Sequence, residues 1–209
     1  MVKQCYICGV EGNTREHVPP LSFFPKGFRT DLWTVRSCEE HNIGHSKDVE
    51  YVRNVVVSQR NCKGTAHELA QSAAFRSFER SAALFFQTFQ RARSTVIEGE
   101  EIALFQLELP RFERVMKAIA WGIYSRETGK TYEGDWRIFS PTLLLTDDLQ
   151  GVPTTWYSFR KLISALPFTP TATPEPTVFK FGRHVFNDTF HVAYAFEFYG
   201  GFHVYAWSA

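Results

Sequence analysis

Cys5-Tyr6-Ile7-Cys8-Gly9, followed after a gap of 29 residues by Cys38-Glu39-Glu40-His41, is the stretch that decides how this chain folds. Each pair has two intervening residues, the spacing at which a tight turn points two side chains at one spot. Zinc takes four thiolate or imidazole ligands in a tetrahedron, so Cys5, Cys8, Cys38 and His41 supply one structural site. Cys62 is an alternative fourth ligand, although it lies beyond a predicted helix. His45, four residues after His41 on the same helical face, is a third choice. A disulfide or plain buried thiols are the competing readings, disfavoured without an export signal. A redox C-x-x-C would open a helix in a βαβ unit, and the pattern holds no such unit.

Around this stretch the chain is ordinary in bulk. Its 209 residues are 44% hydrophobic and 22% charged, which suits one large domain or a small module joined to a larger one. No run approaches the roughly 20 apolar residues of a membrane-spanning helix. Met1 to Cys5 lacks the apolar run of a signal peptide, so a cytoplasmic protein without membrane association is expected. Lys and Arg number 23 against 22 Asp and Glu, a net charge of +1. That balance excludes binding nucleic acid by bulk attraction, and any such binding must use local positive charge.

Between the two pairs lies Thr14-Arg15-Glu16-His17-Val18-Pro19-Pro20. After them come Asn42 and Ser46-Lys47-Asp48-Val49-Glu50-Tyr51. An imidazole near its ordinary pKa accepts a proton at neutral pH, which makes His17 a candidate general base. Glu16 is a hard oxygen ligand, and Mg²⁺ needs only two or three protein ligands because it keeps several waters. Neighbouring side chains on a strand point to opposite faces, so Glu16 and His17 share a site only if the backbone bends there. Asn42 reads as a metal ligand or as a helix N-cap. Asp48 and Glu50 read equally as acidic residues favoured in a first helical turn.

The elements CYICG, TREHVPP, LWTVRSC and EHNIGHSKDVEYVR together resemble the HNH (ββα-metal) nuclease family, in the subgroup with a treble-clef-like zinc site. The likeness spans roughly residues 1–60. It implies an α+β fold in which residues 1–60 form a zinc-stapled ββα-metal module. Residues 61–209 follow as helices and an antiparallel sheet that position substrate or receive a partner. It also implies a metal-dependent endonuclease acting on DNA, with RNA not excluded and a homodimer possible. His17 would be the base, and Glu16 and Asn42 would hold a catalytic Mg²⁺ or Mn²⁺, with Asp48 as a weaker third ligand. Asp31 stands where the family has an Asn that steadies the base. A carboxylate facing the imidazole there would raise the pKa of His17. Glu16 in place of Asp and His41 in place of a zinc Cys are further departures. Arg15, Lys26 and Lys47 are candidates for gripping phosphate. The runner-up is a zinc-stabilised nucleic-acid- or protein-binding module whose nuclease site has decayed.

Downstream, periodicity predicts a helix through Val57 and a break at Asn61–Thr65. A second helix runs from a Thr65–Glu68 capping box to about Ser94. Arg76, Arg80, Arg91 and Arg93 within it read as a basic stripe or as a solvated face. A strand over 101–109 follows, then a buried helix from Pro110 to about Arg126, with Lys117 at an exposed edge. Trp136 to Thr146 reads as a strand and Pro167 to Pro176 as an extended loop. Alternating aromatics from Thr177, with a turn at Tyr199-Gly200-Gly201-Phe202, read as an antiparallel sheet. Its rings read as core before base-stacking surface, and His184, His191 and His203 as separate residues before a second metal cluster.

Overall fold

The computed structural model describes residues 4–97, 99–143, 161–186 and 191–209. Among them the chain is α+β. A knuckle at Cys5–Val10 leads into the hairpin β1 (Thr14–His17) and β2 (Thr34–Ser37), then α1 (Glu39–Ile43) and α2 (Ser46–Val57). Next come α3 (Thr65–Arg80), α4 (Ala82–Thr88), a hairpin of β3 (Arg93–Ile97) and β4 (Glu100–Leu104), and α5 (Leu109–Thr128). The strands β5 (Trp136–Phe139), β6 (Thr169–Thr171), β7 (Phe179–Val185), β8 (Val192–Phe198) and β9 (Phe202–Ser208) form one antiparallel sheet in the order β5-β9-β8-β7-β6.

The sheet forms because its aromatics alternate. Phe179 and Phe181 on β7, Tyr194, Phe196 and Phe198 on β8, and Phe202 on β9 are all buried. Each fully buried side chain of this size stabilises by about 1.5–3 kcal/mol. The rings are core, as the pattern predicts. The stretch read as an extended loop contributes the short strand β6. It pairs only with β7, so Pro170 sits on an edge where its missing N–H is not needed.

Four boundaries differ from the sequence reading. The long helix after residue 65 is two helices, because Ser81 is extended (φ −146°, ψ 96°) and its side chain accepts a hydrogen bond from the Leu84 N–H as the cap of α4. Thr65 is the first residue of α3 and caps nothing; Gly64, at φ +84°, occupies the cap position. The strand expected over 101–109 stops at Leu104, and α5 begins at Leu109 with Pro110 in its first turn, where no N–H is required. The strand expected over 136–146 ends at Phe139, residues 140–143 run through a turn after it, and residues 144–146 fall outside the described residues.

The core passes through residue 60 without a break. Phe23 packs on Phe198 at 5.4 Å between ring centroids, and the Tyr199 hydroxyl donates to the Phe23 carbonyl. On the other side α5 lies against the hairpin. A Cβ on Gly122 would sit 2.5 Å from a methyl of Val18, so the helix approaches β1 as closely as only glycine permits. Lys117, expected at an exposed edge, instead pairs with Asp135 at 2.7 Å. Among the described residues no helix is long and apolar enough to cross a membrane.

Candidate metal centre and the free edge of β1

The knuckle closes through the Cys5 N–H to Val10 carbonyl bond at 2.7 Å and the Gly9 N–H to Cys5 carbonyl bond at 3.0 Å. The Tyr6 N–H ties it to the Arg36 carbonyl on β2 at 2.9 Å, and the Thr131 hydroxyl, beyond α5, donates to the Cys5 carbonyl at 3.1 Å. Cys38 is the residue before α1, and His41 lies one turn into that helix. These elements bring the ligand atoms of Cys5, Cys8, Cys38 and His41 within 4.8 Å of one another. Cys8 Sγ is 3.9 Å from Cys38 Sγ; His41 Nδ1 is 3.7 Å from Cys5 Sγ and 3.2 Å from Cys38 Sγ. A tetrahedron with zinc–sulfur bonds of about 2.3 Å has sulfur–sulfur edges of about 3.8 Å. The four donors therefore fit a metal ion such as zinc.

The alternatives fall away on geometry. All four cysteines are free thiols. The Cys62 thiol donates to the Val56 carbonyl at 3.2 Å, and burial pushes its pKa up to about 12, so it is a structural thiol at the end of α2. His45 stands 5.7 Å from the His41 ring, centroid to centroid, and is outside the ligand cluster. Burial opposes ionisation of Cys5, but hydrogen bonds from the backbone of Cys8, Ile7 and Cys38 outweigh it and bring the thiol down to about 6. His184, His191 and His203 do not gather into a second cluster.

The hairpin sets the second locus. The β1–β2 ladder pairs Glu16 with Val35 and His17 with Thr34, and continues through the Val18 N–H to the Trp33 carbonyl at 3.0 Å. The backbone does not bend between Glu16 and His17, so their side chains leave opposite faces of a regular strand. In an antiparallel ladder, alternate residues turn their main-chain groups toward the partner. With Val18 bonded to β2, Arg15 and His17 turn theirs to the free edge. One group of each is taken. The Asn42 amide donates to the Arg15 carbonyl at 3.2 Å, and Glu16 Oε1 curls round to accept from the His17 N–H at 3.1 Å. The carboxylate and the amide thus meet the same edge of β1 at neighbouring positions, beside His17. Asn42 lies inside α1, so it is not an N-cap, and its amide N–H is spent on β1, which leaves Oδ1 as its ligand atom.

Burial pushes Glu16 up to about 7 against the pull of the His17 N–H, and among the described residues no cation pairs with it. A desolvated carboxylate without a cation is chemically suited to a divalent ion. His17 is shifted the other way. Burial and the nearby Arg29 charge hold its imidazole below the usual histidine range.

The remaining expected residues divide. Asp31 sits exposed in a turn at φ +51° and, among the described residues, makes no hydrogen bond or ion pair with His17. The expected upward shift of His17 is therefore absent. Asp48 is held in a fork of arginines, 2.7 Å from Arg111 Nε and 2.9 Å from Arg114 Nη2, and its carboxyl is satisfied without a metal. Arg15, Lys26 and Lys47 are exposed. Residues absent from the sequence reading complete the picture. Arg111 also donates to the Lys47 carbonyl at 2.9 Å and stacks 4.2 Å over the Tyr51 ring, locking α5 onto the first turn of α2. Gly44 allows the kink between α1 and α2, since a Cβ there would lie 2.4 Å from the Glu40 carbonyl oxygen. Only the Gly in EHNIGHS signalled that kink; nothing near Arg111 signalled a partner 63 residues away. Compared with protein-family models, curated proteins and solved structures, the chain gives no match.

Proposed function

We propose that this protein is a cytoplasmic metal-dependent endonuclease that hydrolyses phosphodiester bonds in DNA. The observation that carries the reading is the free edge of β1, where the Glu16 carboxylate and the Asn42 amide are anchored at neighbouring main-chain groups next to His17. Zinc on Cys5, Cys8, Cys38 and His41 would hold the knuckle and α1, and so keep Asn42 against that edge. Glu16 and Asn42 Oδ1 are the donors for one Mg²⁺ or Mn²⁺. When bound, that ion supplies charge stabilisation at the phosphoryl group and at the leaving 3′-oxygen. His17, kept neutral at pH 7 by burial and Arg29, takes the proton of the attacking water as its oxygen adds to phosphorus and the bond to the 3′-oxygen breaks. Arg15, Lys26 and Lys47 are exposed cations available for phosphate.

Plasmid and linear DNA incubated with Mg²⁺ or Mn²⁺ test this reading. Wild type should cut, and His17→Ala should lose about 10²–10⁴-fold of the rate, the usual worth of a positioned base. Cutting that survives His17→Ala removes His17 from the mechanism. Absence of cleavage under every metal condition favours the second reading, a zinc-stabilised binding module with a decayed site. That reading draws support from Asp31, which stands exposed in a turn and, among the described residues, makes no bond to the imidazole. Two-fold pairing of chains is part of the proposal for double-strand cuts and is read by sedimentation on DNA.

A further inference from the structure

Arg53 is only 7% exposed, yet its guanidinium bonds to neutral partners. Nε and Nη2 donate to Asn54 Oδ1 at 3.0 and 2.6 Å, and Nη2 also donates to Ser77 Oγ at 3.2 Å. The carboxylate beside it is Glu50, whose Oε1 stands 3.7 Å from Arg53 and the same 3.7 Å from Arg80. Charge-assisted hydrogen bonds run at about 2.7–2.9 Å, so neither contact is a closed ion pair. Arg76 is near enough for its charge to oppose that of Arg53. Two guanidinium groups, those of Arg53 and Arg80, therefore share one half-exposed carboxylate, and the charge of Arg76 adds to theirs, a local excess of positive charge. Two residues earlier on α2, Asp48 is held by Arg111 and Arg114 at 2.7–2.9 Å, so the slack at Glu50 is local.

We propose that the groove between α2 and α3 at Arg53, Arg76 and Arg80 binds the phosphate backbone of a nucleic acid. Arg76 and Arg80, four residues apart on one face of α3, make the contacts, and the Arg80 side chain is 71% exposed. Arg53 is a fixed positive floor held by Asn54 and Ser77. Glu50 occupies the phosphate position until a ligand displaces it. Along α2, Ser46 to Arg53 spans about 10 Å at 1.5 Å per residue, roughly three steps of a strand at 3.4 Å each. The choice of nucleic acid as ligand rests on the nuclease reading; the charge excess does not.

The test is fluorescence anisotropy with a labelled duplex oligonucleotide across a salt series, without added divalent cation so that nothing is cut. The proteins are wild type, Arg80→Gln, Arg76→Gln/Arg80→Gln and Glu50→Gln, each checked for zinc content and circular dichroism. Arg80→Gln alone, at an exposed position, keeps the test usable if the double variant is unstable. Each arginine removed should lower affinity and flatten the log–log salt slope by about 0.9. Glu50→Gln should tighten binding several-fold, which a purely structural triad does not predict. Unchanged affinity in Arg80→Gln and Glu50→Gln overturns the proposal. So does tighter, equally arginine-dependent binding of polyglutamate, which would make the ligand an acidic polypeptide. Cleavage is read separately through His17→Ala, so a dead nuclease that still binds through Arg80, or an active one that does not, separates the two readings.

Discussion

The hairpin β1–β2 has strands of four residues, and its neighbourhood gathers four metal-ligating side chains; β7, β8 and β9 run seven residues each and bury ring upon ring. The first region's four side chains could hold a metal ion, which would staple the knuckle to α1. The second is closed by aromatic packing, with Phe179 against Phe198 at 5.0 Å and Trp136 against Tyr194 at 5.5 Å. Yet the two share one core through Phe23 and Tyr199. The comparison teaches that the metal here would set local geometry at the edge of β1, while the aromatic sheet sets the stability of the whole.

Removing zinc should produce the largest effect. Structural zinc in small modules contributes on the order of 10 kcal/mol. Cys8→Ser, or treatment with a strong chelator, should lower zinc to well below one per chain and release the β1–β2 amides to hydrogen exchange, while β8 and β9 amides stay protected. Simultaneous loss of protection in both regions would break the comparison. Phe198→Ala comes next. It empties a fully buried site that touches Phe23, Phe179 and Phe202, and should cost about 3–5 kcal/mol by urea unfolding. Because Phe23 belongs to the N-terminal region, exchange in β1–β2 should rise as well; if it does not, the shared core carries no coupling.

Asp48→Asn tests the lock between α2 and α5, and about 1.5–3 kcal/mol is expected from leaving Arg111 short of its carboxylate. Burial raises the Asp48 carboxyl, but the Arg111 and Arg114 hydrogen bonds overcome it and hold the group below the usual range. A lowered carboxylate contributes stability that is present above its unfolded pKa and lost as pH falls through the folded one. The gap between wild type and variant should therefore close in strong acid. The smallest effect concerns Glu16, raised from 4.5 to about 7. The folded chain holds that proton where the unfolded chain has released it, so stability falls as pH rises through this window. Without divalent ions, Glu16→Gln should melt slightly higher than wild type at pH 8 and equally near pH 4. A variant less stable at pH 8 would show that the carboxylate is already compensated.

Much of this was legible from residue spacing. The C-x-x-C and C-x-x-H pairs name their own ligands because a tight turn is a local device, and the aromatic alternation after Thr177 names a sheet for the same reason. Asn42 was legible as a polar residue of interest, but not as a side chain bonded to β1. From spacing alone, a shared site for Glu16 and His17 requires a backbone bend; the strand is regular, and the length and flexibility of the Glu16 side chain let it reach the edge instead. Asp31 was matched by order along the chain, and order does not fix direction in a turn at positive φ.

Residue spacing alone names the four candidate ligands of the knuckle and the helical and strand periods, and composition gives the near-neutral charge that confines any nucleic-acid contact to local clusters. Three-dimensional packing decides that Asp48 belongs to Arg111 and Arg114, that Arg53 and Arg80 share Glu50, and that Glu16 is half-buried with no cation paired to it among the described residues. Those outcomes depend on which helix faces which across dozens of residues. Burial and charge pairing at such range are properties of the packed core and leave no periodic trace in the chain.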